Sequence, residues 1–385
     1  MIKTLKVRLY PNDEQQVLLE KHFGSCRFVF NHFLDFRSKY YVENKKGLTA
    51  FDTMKILTSL KKELVWLNEV NSQSLQHSLI TLDKAFKSFF KHNAEYPKFR
   101  AKKDNQYFII PAGFRAHENR LMLPKFKEGI VFRDNSEIPK EIKQVVVTKD
   151  VERYYASIQY ESNVELQKGN GTVGIDMGIK AFLTTSDGIQ IESLNALKTK
   201  EKRLIRQQKK LSRKKKGSNN RKKQIVKVQK IYQQIRNWRM DFHHKVSTAI
   251  AKQYDTVVIE DLNTQGMMGN HKLAKSISDQ GWYQFRQMLE YKLKWRDANL
   301  ITIGRFEPSS KLCSRCGNIK RDLKLSDRMY YCNACGLEMD RDLNASINIR
   351  NMGLIKVGKG IPEFTPVESA TAAELSKGGL RVVTL

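Results

Sequence analysis

The sequence predicts an α/β protein with additional helical and β subdomains, and three observations carry that expectation. A short, continuously apolar run, Thr256-Val257-Val258-Ile259, reads as a central strand buried on both faces. Helical periodicity dominates from Glu14 to about Asn93. Residues 106–161 look instead like strands and hairpins. A chain of 385 residues has material for at least one large core and roughly two to four domains.

The chain opens on an alternation, Leu5, Val7 and Leu9 against Lys6, Arg8 and Tyr10, which is the period of a strand. Pro11-Asn12-Asp13 breaks it and can start a helix. About four helices are expected next. The clearest runs from Ser72, as N-cap, to Phe90, with Leu75, Leu79, Leu82, Phe86 and Phe89 forming a core stripe. At Tyr96-Pro97-Lys98-Phe99-Arg100-Ala101-Lys102-Lys103 basic and aromatic residues interleave. Either Lys98, Arg100, Lys102 and Lys103 pair phosphates beside stacked bases, or this is an ordinary basic loop. Gln144–Thr148 and Arg153–Tyr160 flank Lys149-Asp150 as a hairpin, and chain order alone suggests that the first strand joins it.

A different unit begins with Val173–Asp176 and Phe182–Thr185, followed by the turn signal Asp187-Gly188. From Lys198 to Arg239 there are 18 Lys or Arg and one acid, Glu201. Ile225, Val228, Ile231 and Ile235 recur there at helical steps, and Gly217-Ser218-Asn219-Asn220 divides two arms. Such a segment repels itself unless a polyanion lies alongside. Its candidate nucleic-acid contacts are Arg203, Arg206, Lys209, Lys210, Arg213, Lys214, Lys215, Lys216, Arg221, Lys222 and Lys223. Trp282–Arg296 reads as an amphipathic helix and Leu300–Gly304 as a strand, and after Asn351 the pattern fades.

Composition narrows the partners. The formal net charge is +29, from 69 Lys+Arg against 40 Asp+Glu. A partner with dense phosphates explains that balance, because each phosphate neutralised releases counterions. The start of the chain has no apolar signal region and no run is long enough to span a bilayer, so no membrane partner is expected. Four of the five cysteines form two CxxC pairs, as in a metal site of a reducing, cytoplasmic compartment, and Cys26 reads as a small core residue.

Cys313, Cys316, Cys332 and Cys335 are two CxxC-Gly units separated by 15 residues. Four thiolates satisfy a tetrahedral zinc ion, and glycine lets the backbone turn beneath it. One structural zinc per chain is expected, with an iron–sulfur cluster or redox thiols as alternatives. Three acids are the catalytic candidates: Asp176 in Gly174-Ile175-Asp176-Met177-Gly178, Glu260 at the end of the apolar strand, and Asp342 where a helix starts after the second CxxC. A carboxylate on a buried strand is costly without a cation, and three together could hold two Mg²⁺ for phosphodiester hydrolysis.

These motifs, with Leu5–Pro11, Gly24–Asn31, Asn71–Leu75, Tyr96–Phe99, Ile259–Asn263 and Asp340–Ser346, resemble the TnpB (OrfB) family of bacterial and archaeal insertion sequences over roughly residues 1–351. That family is related to the compact type V CRISPR nucleases. The resemblance implies an RNase H-like (RuvC) nuclease core with an inserted zinc ribbon, an N-terminal helical insertion and a β-barrel-like unit. It implies an RNA-guided DNA endonuclease, with a guide RNA from the element's end and a DNA target as partners. It assigns the catalytic acids to Asp176, Glu260 and Asp342, the last because the family's acid lies two before the asparagine, here Asn344. The division it suggests is a wedge-like β unit of residues 1–12 and 106–165, a helical recognition domain 13–105, and a nuclease core 170–351. That core would contain a basic helical insertion 198–250 and a zinc ribbon 308–338, and 352–385 would be a loose tail. Two rival readings are a strand-transferring transposase and a non-cleaving, guide-bound regulator. His243-His244 lacks the spacing of the paired-histidine transposases. The oligomeric state is left open.

Overall fold

The computed structural model describes residues 1–133, 141–305, 307–324, 326–358, 360, 376 and 379–385. They form two compact units, Met1–Asn163 and Val164–Leu385. No helix among the described residues is long and apolar enough to cross a membrane.

The first unit begins with β1 (Ile2–Tyr10), α1 (Asp13–Asn44), α2 (Ala50–Glu63) and α3 (Ser72–Phe90). Six strands follow: β2 (Gln106–Ile110), β3 (Arg115–His117), β4 (Arg120–Met122), β5 (Ile130–Arg133), β6 (Ile142–Asp150) and β7 (Arg153–Glu161). Asn12 starts α1 with a capping box, its side chain taking the Gln15 N–H while Gln15 reaches back. Three helices and a 3-10 turn at Val65–Glu69 stand where four helices are expected. The cap of α3 is Asn71 rather than Ser72: the Asn71 side chain accepts from the Gln73 N–H at 2.9 Å.

The strands order as β2-β6-β7-β1-β5-β4-β3, and β1 pairs antiparallel with both β7 and β5. No pairing among the described residues joins β2 to β3. The β6–β7 turn falls at Val151-Glu152, two residues beyond the expected Lys149-Asp150, with Val151 at φ 59°. The helices and the sheet are not separate domains. Leu75, Leu79 and Leu82 of α3 share one core with Val7, Leu9, Phe108, Val145, Val147 and Ile158 of the sheet. Each such side chain contributes roughly 1.5–3 kcal/mol on burial, so neither layer is complete without the other.

The second unit contains β8 (Thr172–Met177), β9 (Ala181–Thr185), β10 (Ile189–Glu192), α4 (Ala196–Ser212), α5 (Asn219–Gln253) and β11 (Thr256–Glu260). Then come α6 (Thr264–Met267), α7 (His271–Gln280), α8 (Trp282–Lys294), β12 (Asn299–Ile303), β13 (Met329–Tyr331), β14 (Glu338–Asp340), α9 (Arg341–Lys356) and β15 (Val382–Thr384). The sheet order is β12-β11-β8-β9-β10-β15. β8, β9 and β10 are an antiparallel meander, and β11 and β12 run parallel to β8.

One expectation changes here. The chain end is not a loose tail, because β15 pairs antiparallel with β10 and Leu385 N–H donates to the Gly188 carbonyl. Of the expected tail, residues 359, 361–375, 377 and 378 lie outside the described residues. The basic stretch is a helical hairpin, α4 packed on α5 through Leu204, Val228, Ile231 and Ile235.

Candidate active site and metal centre

Alternation along two neighbouring strands builds the acidic site. Val173 and Ile175 of β8 enter the core shared with α5 and α8, which turns Gly174 and Asp176 to the opposite face. On β11, Val257 and Ile259 enter the same core, whereas Val258 packs on the other side with Ile303 and Ile349 of α9. The parallel register aligns Val258 with Gly174 and Ile259 with Ile175. The next residues along both strands are Asp176 and Glu260, and the charge of Glu260 reaches Asp176.

Helix α9 crosses this face at unusually close range. A Cβ on Gly174 would fall 2.1 Å from the Ser346 carbonyl oxygen and 2.5 Å from the Arg350 nitrogen. A Cβ on Gly353 would fall 2.4 Å from Val258 Cγ1. The two missing side chains let backbone approach sheet, and the first turn of α9 carries Asp342 into the electrostatic reach of Asp176.

Asp176, Glu260 and Asp342 each keep part of their surface open. Even so, the surrounding protein is the largest cause pushing the Asp176 carboxyl up to about 8, and the charges of Glu260 and Asp342 add to it. Glu260 is also raised by burial, opposed by a hydrogen bond that Ser309 Oγ donates to its Oε1 at 2.5 Å. Asp342 accepts from the Arg341 guanidinium at 3.1 Å. The site is thus a half-open group of three carboxylates whose negative charge the Arg341 guanidinium, paired with Asp342, offsets only in part. An all-oxygen donor set with that deficit fits a hard divalent cation.

The four thiols form a tighter cluster, with all sulfurs within 4.8 Å of one another. Cys313 lies 3.6 Å from Cys335, and Cys316 lies 3.6 Å from Cys332. Those spacings exceed a disulfide's ~2.05 Å. They match the ~3.8 Å edge of a tetrahedron with zinc–sulfur bonds of ~2.3 Å. The backbone N–H groups of Cys335 and Ala334 lower the Cys332 thiol to about 6, as a thiolate ligand needs. Glycines at positive φ, Gly317 at 74° and Gly336 at 70°, follow each CxxC. These cysteines could hold one zinc ion. The carboxylates are not gathered into a comparable cluster.

The basic candidates divide. Lys209, Lys210, Arg213, Lys214, Lys215, Lys216, Lys222, Lys223, Arg203 and Arg206 are exposed on the α4–α5 hairpin. Arg221 is committed internally, donating to the Leu211 and Lys214 carbonyls and closing the turn. Arg100 is likewise turned inward, its guanidinium 3.6 Å over the Phe30 ring and bonded to Tyr107 Oη. Lys102 and Lys103 are exposed, and Lys98 pairs with Glu95 at 2.5 Å. His243 is a buried core residue, with Nε2 donating to the Gln280 carbonyl at 2.8 Å.

Sequence reasoning passed over several residues that shape the site. Asp261, next to Glu260, is clamped by Arg286 at 3.1 Å and Arg305 at 2.9 Å. Asn344 and Asn348 are buried polar residues on α9 that bind the segment leading to the first CxxC. Their i, i+4 spacing, which places both on one side of the helix, was the available signal.

Comparison with known proteins places these motifs. The OrfB_IS605 family, described as "Probable transposase", matches residues 145–271. A "Cas12f1-like, TNB domain" matches residues 282–349, and an OrfB "Helix-turn-helix domain" matches residues 1–46. A Streptomyces pristinaespiralis protein named "Putative RNA-guided DNA endonuclease" is 36% identical over 91% of this chain and 89% of its own. "Putative RNA-guided DNA endonuclease InsQ" of Escherichia coli K12 is 33% identical over 91% and 92%. The "CRISPR-associated endodeoxyribonuclease Cas12f1" of Sulfoacidibacillus thermotolerans is 26% identical over 56% and 54%.

Proposed function

From the premise that the chain belongs to the OrfB (TnpB) family of insertion-sequence proteins, we propose that it is an RNA-guided DNA endonuclease cutting phosphodiesters at Asp176, Glu260 and Asp342. The observation that carries the reading is that the charges of Glu260 and Asp342 both act on Asp176, all three partly open, with Asp176 pushed up to about 8. The meander-plus-parallel sheet order supports an RNase H-like (RuvC) core. Guide RNA and target DNA are the partners that the relatives' names imply, and the net charge of +29 suits both.

Asp176, Glu260 and Asp342 would hold a pair of Mg²⁺ ions roughly 3.5–4 Å apart, which calls for a looser ligand set than the thiols make. Such ions, when bound, activate water and stabilise the leaving oxygen. The chain's own part is to fix the carboxylates on rigid strands and a packed helix. The cysteines would hold a structural zinc, and the exposed lysines and arginines of α4 and α5 would grip phosphate backbone without reading sequence.

The test is to purify the chain with its co-expressed RNA and offer a matching plasmid with Mg²⁺. Glu260→Ala, Asp176→Ala and Asp342→Ala should each cut several orders of magnitude more slowly while binding target as the parent does. Parent-rate cleavage by Glu260→Ala would remove the carboxylate assignment. Absence of RNA-directed cutting by the parent, with target binding retained, would favour the regulator.

A further inference from the structure

The thiol cluster and the acidic site are joined by a chain of hydrogen bonds through buried polar residues. Next to Cys313, the Ser314 N–H donates to Asn344 Oδ1 at 3.0 Å, and Asn344 Nδ2 donates to the Leu312 carbonyl at 2.7 Å. One helical turn on, Asn348 Nδ2 donates to the same Leu312 carbonyl at 2.7 Å and to the Ser309 carbonyl at 2.8 Å. Ser309 Oγ then donates to Glu260 Oε1. Asn344, Asn348 and Ser309 are almost completely enclosed, at 0%, 2% and 7% exposure. A buried amide bonded at this density costs several kcal/mol to rearrange, so the segment 309–314 is held against α9 as one piece.

We propose that Ser309 is a positioning residue for Glu260, held in place by Asn348 and, through Asn344, by the four-cysteine ribbon. This rests on the reading of the three acids as a divalent-cation site. A carboxylate at a strand end can rotate about its terminal bond through a broad range. One short hydroxyl donor on Oε1 removes that freedom and leaves Oε2 to a cation. Asp342 sits on the same helix as Asn344 and Asn348, so one rigid element carries one acid and, through these amides, the segment that bears Ser309 and leads to the ribbon. A group that orients a metal-binding side chain in this way typically changes cation affinity by about 10–100-fold when removed.

The experiment measures Mn²⁺ affinity of the nucleic-acid-free full chain by electron paramagnetic resonance, alongside zinc content and melting temperature. The Mg²⁺ dependence of cleavage is read in parallel on the RNA-loaded protein. Ser309→Ala should weaken Mn²⁺ binding at least tenfold and shift the Mg²⁺ requirement upward, with zinc content unchanged. Ser309→Thr, which keeps the hydroxyl, should restore both. Asn348→Ala should reproduce the Ser309→Ala phenotype. If Ser309→Ala does not fold, Ser309→Cys, similar in size and a poor donor, replaces it. Glu260→Gln separates the two levels of the argument. If Glu260→Gln binds Mn²⁺ as the parent does, the cation-site reading itself fails. If it loses Mn²⁺ while Ser309→Ala binds normally, the site stands and the positioning role is overturned.

Discussion

Gly174→Ala tests the geometry that brings the three acids to one face. The added Cβ would meet backbone, 2.1 Å from the Ser346 oxygen and 2.5 Å from the Arg350 nitrogen, where ordinary contact begins at 3.4 Å. No rotamer relieves a clash with backbone, so α9 must retreat by about 1 Å from β8. Overpacking of this kind costs about 1–3 kcal/mol. At roughly 2–4 °C per kcal/mol for a unit of this size, the melting temperature should fall by roughly 3–10 °C. The retreat also carries Asp342 away from Asp176 and Glu260, and a displacement of about 1 Å at a reacting centre costs on the order of 100-fold in rate. Calorimetry and single-turnover cleavage at saturating Mg²⁺ read the two effects. Gly353→Ala is the control, because its Cβ meets only the side chain of Val258, at 2.4 Å from Cγ1. Pairing it with Val258→Ala should recover much of its loss, whereas no side-chain truncation should rescue Gly174→Ala. A Gly174→Ala protein with parent melting and parent cleavage would refute the close approach of α9 and the shared face built on it.

Three further outcomes are expected. Cys332→Ser should lose the roughly one zinc per chain that metal analysis of the parent finds, and should melt earlier; a zinc-free parent with an intact fold would count against the ribbon. Changing Lys214, Lys215 and Lys216 together to Gln, on the exposed turn between α4 and α5, should weaken binding to all sequences alike. It should also flatten the slope of log affinity against log salt by up to ~3, and normal binding at every salt concentration would move the gripping role to Arg203, Arg206, Lys209 and Lys210. Burial pushes His243 down from 6.5 to about 4. Between those values only the unfolded chain takes the proton, so stability is full above pH 6.5 and falls towards pH 4, by roughly 3 kcal/mol. His243→Phe, among the rings of Phe182, Phe242 and Phe285, should flatten that decline, and an equally steep one would argue against a buried neutral imidazole.

What was legible in the sequence was local. The apolar run of β11, the stripe of α3 and the CxxC spacing each depend on neighbours a few residues away, and each has its counterpart in the structure. What failed to show was which surfaces meet. The stripe of α3 announces a buried face without saying that Phe108 and Ile158 of a sheet cover it, so one unit reads as two. Asn71 and Ser72 are equally competent caps, and only the backbone at Asn71, φ −65° and ψ 122°, selects between them. A basic and aromatic stretch leaves a stacking surface and an ordinary loop equally open, and the sequence does not show that Arg100 stacks its guanidinium on Phe30. The strand Val382–Thr384 has three residues of pattern in a stretch without any, too few to signal a partner as remote as β10.

The two aspartates of Asp340-Arg341-Asp342 are indistinguishable by composition, and capping separates them. Asp340 is the N-cap of α9, and its Oδ1 accepts the N–H groups of Asp342 at 2.8 Å and Leu343 at 3.1 Å. A carboxylate so placed satisfies two of the helix's unpaired donors and faces its positive end. Asp342 lies within the first turn, where its backbone N–H is already satisfied by Asp340 and its carboxylate makes no cap. Its side chain is therefore left to pair with Arg341, and its charge raises Asp176 more than that of Asp340 does. The family rule, an acid two residues before Asn344, selects the same residue without reference to capping. The two arguments are independent, because one concerns which oxygen the helix consumes and the other the motif that carries the resemblance. Asp340 fixes where α9 begins, and Asp342 is the acid we propose that this fixed start delivers to the site.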